Sequence, residues 1–503
     1  MQAITIPILS DYPMILTLLG LSVGGLLTLI VGSRSEKGAR VLAALSLLGG
    51  LMLNVLLLLE CGDSPVTHDF VWLGDTTNPI MTLGFLGDGL SAPVGVLIAG
   101  LGLFSVVYSF VYMENLRHPG LYYSLMVWFV AAMLGVVYAT NLMQFFVFYE
   151  LMLIPAFVLV YVYGVSEDPE QRSKNALQFW VWTAIGGMIS LFGVFFLFGA
   201  TGTMDIQTLY TTSMATNVAK FVGLMFLLGF GIKMGLVPLH VWAPPVYGEA
   251  PIPVLVLLSG AMTKTAAYGV IRIVIPIFRA VLADYSLGLM LISVVTMFYG
   301  AMLAIAQKDL KMMLAYSSIS QLGYLMFGYS TMTVVGVNGA AFQIINHGIL
   351  ASLMFFCAGA IKMRTGTMEF DRLGGLAPKM PALATVFVLG GLALAGTPPM
   401  SAFPGEMMIF AGAAEVAMNG WAYVALMVVG VITTGLTAGY YLWAIRRTMY
   451  GQVPDELADV TDAPMTVLAI TGVMAFFVVI IGIWPWLLWQ YIQPVLSGIL
   501  GGG

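Results

Sequence analysis

Four ionisable side chains stand inside long apolar runs: Glu150 in NLMQFFVFYELMLIPAF, Lys233 in GFGIKMGLVPLH, Lys264 in LSGAMTKTAAYG and Glu406 in FPGEMMIF. A charge at the centre of a bilayer costs about 2.5–3.5 kcal/mol even on the mildest scale, so such residues persist where they pair, face water or do work. A carboxylate and a lysine buried side by side have their proton affinities drawn together by burial and mutual charge, and can exchange protons near neutral pH. Glu150 and Lys233 are therefore expected to act as a switch, with Lys233 releasing its proton when Glu150 stands away. Lys264 is expected to pass the proton onward through water, and Glu406 to hand it to the far side. The competing reading is a Glu150–Lys233 pair that only fixes helix packing, with Lys264 and Glu406 as incidental caps. Four such residues on four runs, two of them beside helix breaks, favour the relay.

The breaks lie in GFGIKMGLVPLHVWAPP and LAGTPPMSAFPGEMMIF, where Pro238 follows Lys233 and where Pro398, Pro399 and Pro404 precede Glu406. Proline removes a donor and frees a carbonyl, which at membrane depth is tolerated only where protein or water satisfies it. Both breaks predict polar, hydrated cavities. His347, in FQIINHGILASLMFF, lies at a depth suited to bridging Lys264 and Glu406, and an imidazole suits a shuttle. The competing role for it is a hydrogen-bonded packing residue. His240, just past the first break, reads either as a relay group or as a cap for freed carbonyls. Lys308, Asp309 and Lys311 read as a solvated helix end, with proton uptake at Lys311 as the second reading.

These groups need helices to hold them. Of 503 residues, 60% are hydrophobic and 9% charged, against about 25% charged in soluble domains, so a soluble fold is excluded. Apolar runs long enough to cross a core of about 30 Å recur from end to end. They predict an all-α polytopic membrane protein of about fourteen spans, among them 142–163, 220–239, 253–277, 311–329, 333–361 and 383–414. Basic residues cluster in alternate loops. Arg34, Lys37, Arg40, Arg117, Arg172, Lys174, Lys308, Lys311, Lys362, Arg364, Arg372, Lys379, Arg446 and Arg447, fourteen of nineteen, mark the cytoplasmic side. The opposite loops are assigned only Lys220, Arg272 and Arg279, which places both termini away from the cytoplasm. The two breaks lie five spans apart, the pattern of an inverted repeat. The expected units are spans 1–3 (1–119), a first repeat of spans 4–8 (120–280), a second of spans 9–13 (281–450), and span 14 (451–503). Cys61, Cys357 and the four histidines show no metal-ligand spacing, so neither a metal nor a cofactor is expected in this chain. A net charge of −5 without a basic patch gives no reason to expect nucleic acid as a partner.

At FYELMLIP, at GFGIKMGLVPLHVWAPPVYGEAPIPVLVLLSGAMTKTAAYGVIR and at AYSSISQLGY from Ala315, the sequence resembles the antiporter-like subunits of complex I and of Mrp-type cation/proton antiporters. The resemblance covers nearly the whole chain. It implies fourteen helices with two inverted five-helix repeats, a Glu on span five paired with a Lys on span seven, a central Lys on span eight, and a terminal Lys or Glu on span twelve. Glu406 at the terminal place is similar to the M-type branch, homologous to mitochondrial chain four. The L-type and N-type branches and the D subunit of Mrp usually carry Lys there. Gln321 stands where many relatives have a histidine, which leaves His347 and water to cover that gap. The resemblance further implies a proton-translocating, non-redox subunit of an NADH, F420H2 or ferredoxin:quinone-type oxidoreductase in the respiratory chain. It would lie in a prokaryotic cytoplasmic or equivalent energy-conserving membrane. Its partners would be L-type and N-type antiporter-like subunits, small membrane subunits and lipids. The alternative is a subunit of an Mrp-type Na⁺/H⁺ antiporter or of a complex related to membrane-bound hydrogenase.

Overall fold

In hydrocarbon a backbone must satisfy its own N–H and C=O groups, and a helix does so within one segment. The computed structural model describes residues 12–62, 64–74 and 79–501. The two ends, which the basic-residue count assigns to the non-cytoplasmic side, lie outside the described residues. Helices α1 (Pro13–Gly32), α2 (Glu36–Glu60), α3 (Ser91–Tyr112) and α4 (Pro119–Tyr138) come first, with α1 and α3 each packed on both α2 and α4. Next come α5 (Leu142–Leu151), α6 (Leu153–Tyr163), α7 (Pro169–Thr201), α8 (Thr216–Met234) and the short α9 (Ala243–Glu249). Helix α10 (252–282) contains π-helical turns at Leu258–Met262 and Val270–Val274. The remainder are α11 (Ser286–Ile305), α12 (Leu310–Ser330), α13 (Val334–Thr365), α14 (Pro381–Leu394), α15 (Ala402–Ala417), α16 (Trp421–Met449), α17 (Met465–Ile483) and α18 (Trp486–Gly501).

Local chemistry sets the helix ends. Asp168, Asp309 and Thr333 cap α7, α12 and α13 by accepting from backbone N–H groups of the first turn. Helices α7, α8 and α13 end on left-handed glycines, Gly202, Gly235 and Gly366. Large apolar side chains remain exposed on the outside, including Phe192 and Phe196 on α7, Leu291 on α11 and Ile432 on α16. That pattern suits lipid, where an apolar outer face is the low-energy one. Helix α13 is buried along almost its whole length and forms the centre of the second half.

Among the described residues, eleven helical segments are long and apolar enough to cross a membrane. The difference from fourteen has three sources. Ile252–Ile305 counts as one segment although it spans 54 residues. Helix α12 carries Lys311, four serines and Gln321, and α14 and α15 are separate short pieces on either side of 395–401.

Several expectations are corrected. Arg272 and Arg279 lie within α10 and Lys220 within α8, not in loops, because α10 continues past 277 and turns directly into α11. The span at 142–163 is broken as well: Pro155 offers no N–H to the carbonyl four residues back, and α5 gives way to α6 at Met152. The final unit holds two helices, α17 and α18, where one was expected. The segment between α2 and α3 forms an antiparallel hairpin of β1 (Val66–Gly74) and β2 (Pro79–Gly87), with Phe70 opposite Leu83. Gly84 N–H donates to Gln144 Oε1 at 2.9 Å, which seats the hairpin on the start of α5.

Candidate proton relay site

Glu150 is the penultimate residue of α5, directly before the break, and Lys233 lies in the last turn of α8, where the helix dipole favours a cation. Lys233 Nζ stands 3.8 Å from Glu150 Oε1, too far for a direct hydrogen bond. The ammonium instead donates to the Tyr149 carbonyl at 2.7 Å and sits 3.5 Å from the centre of the Tyr149 ring. Lys233 is fully buried while Glu150 is 26% exposed, and Glu150 Oε1 has no hydrogen-bond partner. The pair is therefore loose, with Lys233 held by Tyr149 rather than by Glu150.

Lys264 follows the first π turn of α10 and is fully buried. Its ammonium donates to the Ser259 carbonyl at 2.6 Å and approaches Thr263 Oγ1 at 3.4 Å, so oxygens without formal charge hold it. His347 on α13 is buried within reach of the Lys264 charge, and its Nδ1 is unpartnered. Lys264 and His347 thus lie within electrostatic range of each other, without a direct hydrogen bond among the described residues.

From His347 toward Glu406 the lining is amide. Gln343 Nε2 donates to Gln321 Oε1 at 3.3 Å, and Gln321 faces the Glu406 carboxyl. Gln343 and Asn346 press on the backbone of α15 at Gly405, one residue before Glu406. Five atoms here are buried without a protein partner: Gln321 Nε2, Gln343 Oε1, both polar atoms of Asn346 and Glu406 Oε1. Buried polar atoms in native proteins are nearly always satisfied by protein or by ordered water, so this stretch has the chemistry to hold water. Pro398 and Pro399 lie in the turn between α14 and α15, where Gly396, at φ +71°, abuts Glu406 Oε2. Sequence reasoning used Gln321 only as a missing histidine. It passed over Gln343 and Asn346, whose signal was their place in FQIINHG: Gln343 lies four residues before His347 and three before Asn346, on the same side of the helix as each.

Lys311 does not belong to a solvated helix end. It is 4% exposed and donates to the carbonyls of Gly248 and Ala250 at 2.6 and 2.7 Å. Between those two carbonyls, Glu249 accepts from Ser166 N–H and Asn175 Nδ2. Lys308 is exposed, as expected. Pro238 leads into the turn Leu239–Trp242 that carries His240. His240 is half-buried against the Tyr299 ring, 5.2 Å between centroids, and among the described residues it makes no hydrogen bond to Lys233, Lys264 or Glu406.

One buried ion pair escaped the sequence reading. Arg272 Nη2 donates to Asp88 Oδ1 at 2.6 Å and Arg272 Nε to Tyr268 OH at 3.0 Å. Asp88 also accepts from the N–H groups of Leu90 and Ser91. An arginine within GVIRIVIP was the available signal. Among the described residues, no three His, Cys, Asp or Glu side chains gather as a metal site.

A bundle of membrane helices that encloses buried lysines, carboxyls and a histidine belongs to the polytopic membrane proteins with a polar interior path. Residues 139–437 match the family described as NADH:quinone oxidoreductase/Mrp antiporter, TM, and the chain belongs to that family. It is 34% identical over 412 residues to NAD(P)H-quinone oxidoreductase chain 4 1 of Nostoc sp., covering 80% of this chain and 75% of the relative. It is 32% identical over 410 residues to F(420)H(2) dehydrogenase subunit M of Methanosarcina mazei, covering 79% and 80%. Its fold is similar to a chain of respiratory complex I from Thermus thermophilus, with TM-score 0.87, 26% identity, and 97% of this chain and 100% of that one covered. It also resembles a chain of the Mrp complex from Dietzia sp., with TM-score 0.86, 22% identity and 98% of both covered. That last likeness concerns the fold alone.

Proposed function

We propose that this chain carries protons through the membrane arm of a complex I-like oxidoreductase, as its M-type, non-redox subunit. The observation that carries the reading is the loose Glu150–Lys233 pair at one end of a buried series that continues through Lys264, His347 and the amides to Glu406. The relatives' names are those of quinone and F(420)H(2) oxidoreductase subunits. In this reading Glu150 controls when Lys233 holds its proton. Lys264 and His347 pass the proton on, water among Gln321, Gln343 and Asn346 bridges the next gap, and Glu406 delivers it. Lys311 takes up protons at the cytoplasmic edge. His240 lies off this line and is left as a packing residue. The fourteen crossings comprise spans 1–3, two inverted repeats over 120–280 and 281–450, and a C-terminal unit, with both termini on the non-cytoplasmic side. The electron-carrying chemistry belongs to other chains, and L-type and N-type subunits are the neighbours.

The second reading, a Na⁺/H⁺ antiporter subunit, draws on the likeness to the Mrp fold. Sodium is a hard cation that wants several oxygen ligands, whereas the series alternates carboxyls with the nitrogens of Lys233, Lys264 and His347. The test is to replace Na⁺ by K⁺ or choline around the reconstituted complex. Vesicles should acidify without sodium and take up none. Strict sodium dependence, or sodium uptake abolished by Glu406→Ala, would move the assignment to the antiporter.

A further inference from the structure

Helix α7 carries two adjacent glycines, and they face different things. A side-chain carbon at Gly186 would meet the Gly229 carbonyl and Ile232 of α8, so Gly186 serves the close approach of those helices. The three atoms nearest a carbon at Gly187 would all belong to Glu150: its Cδ at 2.5 Å, its Oε2 at 3.0 Å, and its Oε1 closer still. A glycine inside a helix costs about 1 kcal/mol relative to alanine. At Gly186 helix packing offsets that cost; at Gly187 the group pressed closest is the Glu150 carboxyl.

We propose that Gly187 is a positioning residue for the relay: its bare backbone is the seat that the Glu150 carboxyl occupies while it stands off Lys233. The inference rests on the functional reading above. Three features agree with it. The carboxyl lies against α7, Oε1 has no hydrogen-bond partner, and the gap to Lys233 Nζ is 3.8 Å. Filling the seat evicts the carboxyl. The charged group that faces it is Lys233, with the Tyr149 hydroxyl beside the pair, so the evicted carboxyl moves onto the ammonium and locks the pair closed. A switch that cannot open holds its proton.

The test is Gly187→Ala in the assembled complex, with Gly193→Ala as the control on the same helix, where the added carbon makes ordinary contact with Phe226 at 3.4 Å. Gly187→Ala should assemble, lose about tenfold or more of coupled turnover, and shift the pH profile of the remaining activity toward alkaline pH, because a locked ammonium gives up its proton only at higher pH. Gly193→Ala should match wild type in both. If Gly187→Ala does not assemble, Gly187→Ala/Glu150→Ala should restore assembly, since truncation removes the clash. Failure of that rescue overturns the proposal. Wild-type turnover in Gly187→Ala, or reduced turnover with an unmoved pH profile, also overturns it. Glu150→Gln keeps the two levels apart. If that variant is defective while Gly187→Ala is normal, only the seat is refuted; if Glu150→Gln pumps normally, the relay reading falls too.

Discussion

Glu150→Gln keeps the size of the side chain and removes the charge that faces Lys233. At 3.8 Å and an effective dielectric of about 20, the lost attraction is about 4 kcal/mol. Glu150 is 26% exposed, and solvent screening trims that to about 2–4 kcal/mol. At about 1.4 kcal/mol per decade, the proton-binding constant of Lys233 falls by roughly 30- to 1,000-fold. Coupled turnover in the assembled complex should therefore fall by at least about tenfold. Vesicle acidification measured with a pH-sensitive dye, alongside electron-transfer rate and subunit content, reads this directly. An assembled Gln variant that acidifies vesicles within about twofold of wild type would refute the switch and leave the pair a packing device.

Three other substitutions test separate parts of the structure. Glu406→Lys should keep more pumping than Glu406→Ala, because either ionisable group holds a proton at the end of the amide-lined stretch; equal loss in both would mean that carboxylate geometry matters, and wild-type pumping in both would remove Glu406 from the path. Arg272→Met strands the Asp88 carboxylate, should cost about 3–5 kcal/mol, and should lower both assembled subunit and melting temperature, with Asp88→Asn restoring part of the loss. Burial holds the Asp309 carboxyl above the usual carboxylate range, so its contribution to stability is present at low pH and is lost as pH rises through its folded value. Asp309→Asn keeps the cap on Met312 N–H and should flatten that dependence in melting curves, whereas Asp309→Ala should lie about 1 kcal/mol below Asp309→Asn at every pH.

The buried ionisable groups were legible because a charge in an apolar run is costly enough to stand out residue by residue. Proline marked the turns at Pro238 and Pro398–Pro399 for the same reason. What stayed hidden lacked such a signal. The break at Met152 depends on Pro155, which sits only two residues into α6, where proline is also an ordinary first-turn residue. The π turn at Leu258–Met262 leaves no residue signature, since it contains no proline and is not followed by one. The hairpin Val66–Gly87 was hidden by its position between two spans, although THDFVWLG carries the aromatic and β-branched residues of a strand. Gly187 reads from sequence as one of many small helix residues; only the position of Glu150 gives it a meaning.

The two carboxyls of the series sit in unlike surroundings, and that difference bears on direction. Glu150 faces a lysine across a gap that a small movement opens or closes, so its charge can change how firmly Lys233 holds a proton. Glu406 faces amides, Gln321 with Gln343 and Asn346 behind it, which carry no charge to switch. An amide can orient water but cannot itself be left protonated or deprotonated near neutral pH. A charge at Glu406 therefore has no partner to release, and what reaches it is set upstream. In the proposed relay, control then belongs to the Glu150 end and delivery to the Glu406 end. This ordering explains why a change of charge sign should be tolerated at position 406 and why loss of charge should not be tolerated at position 150.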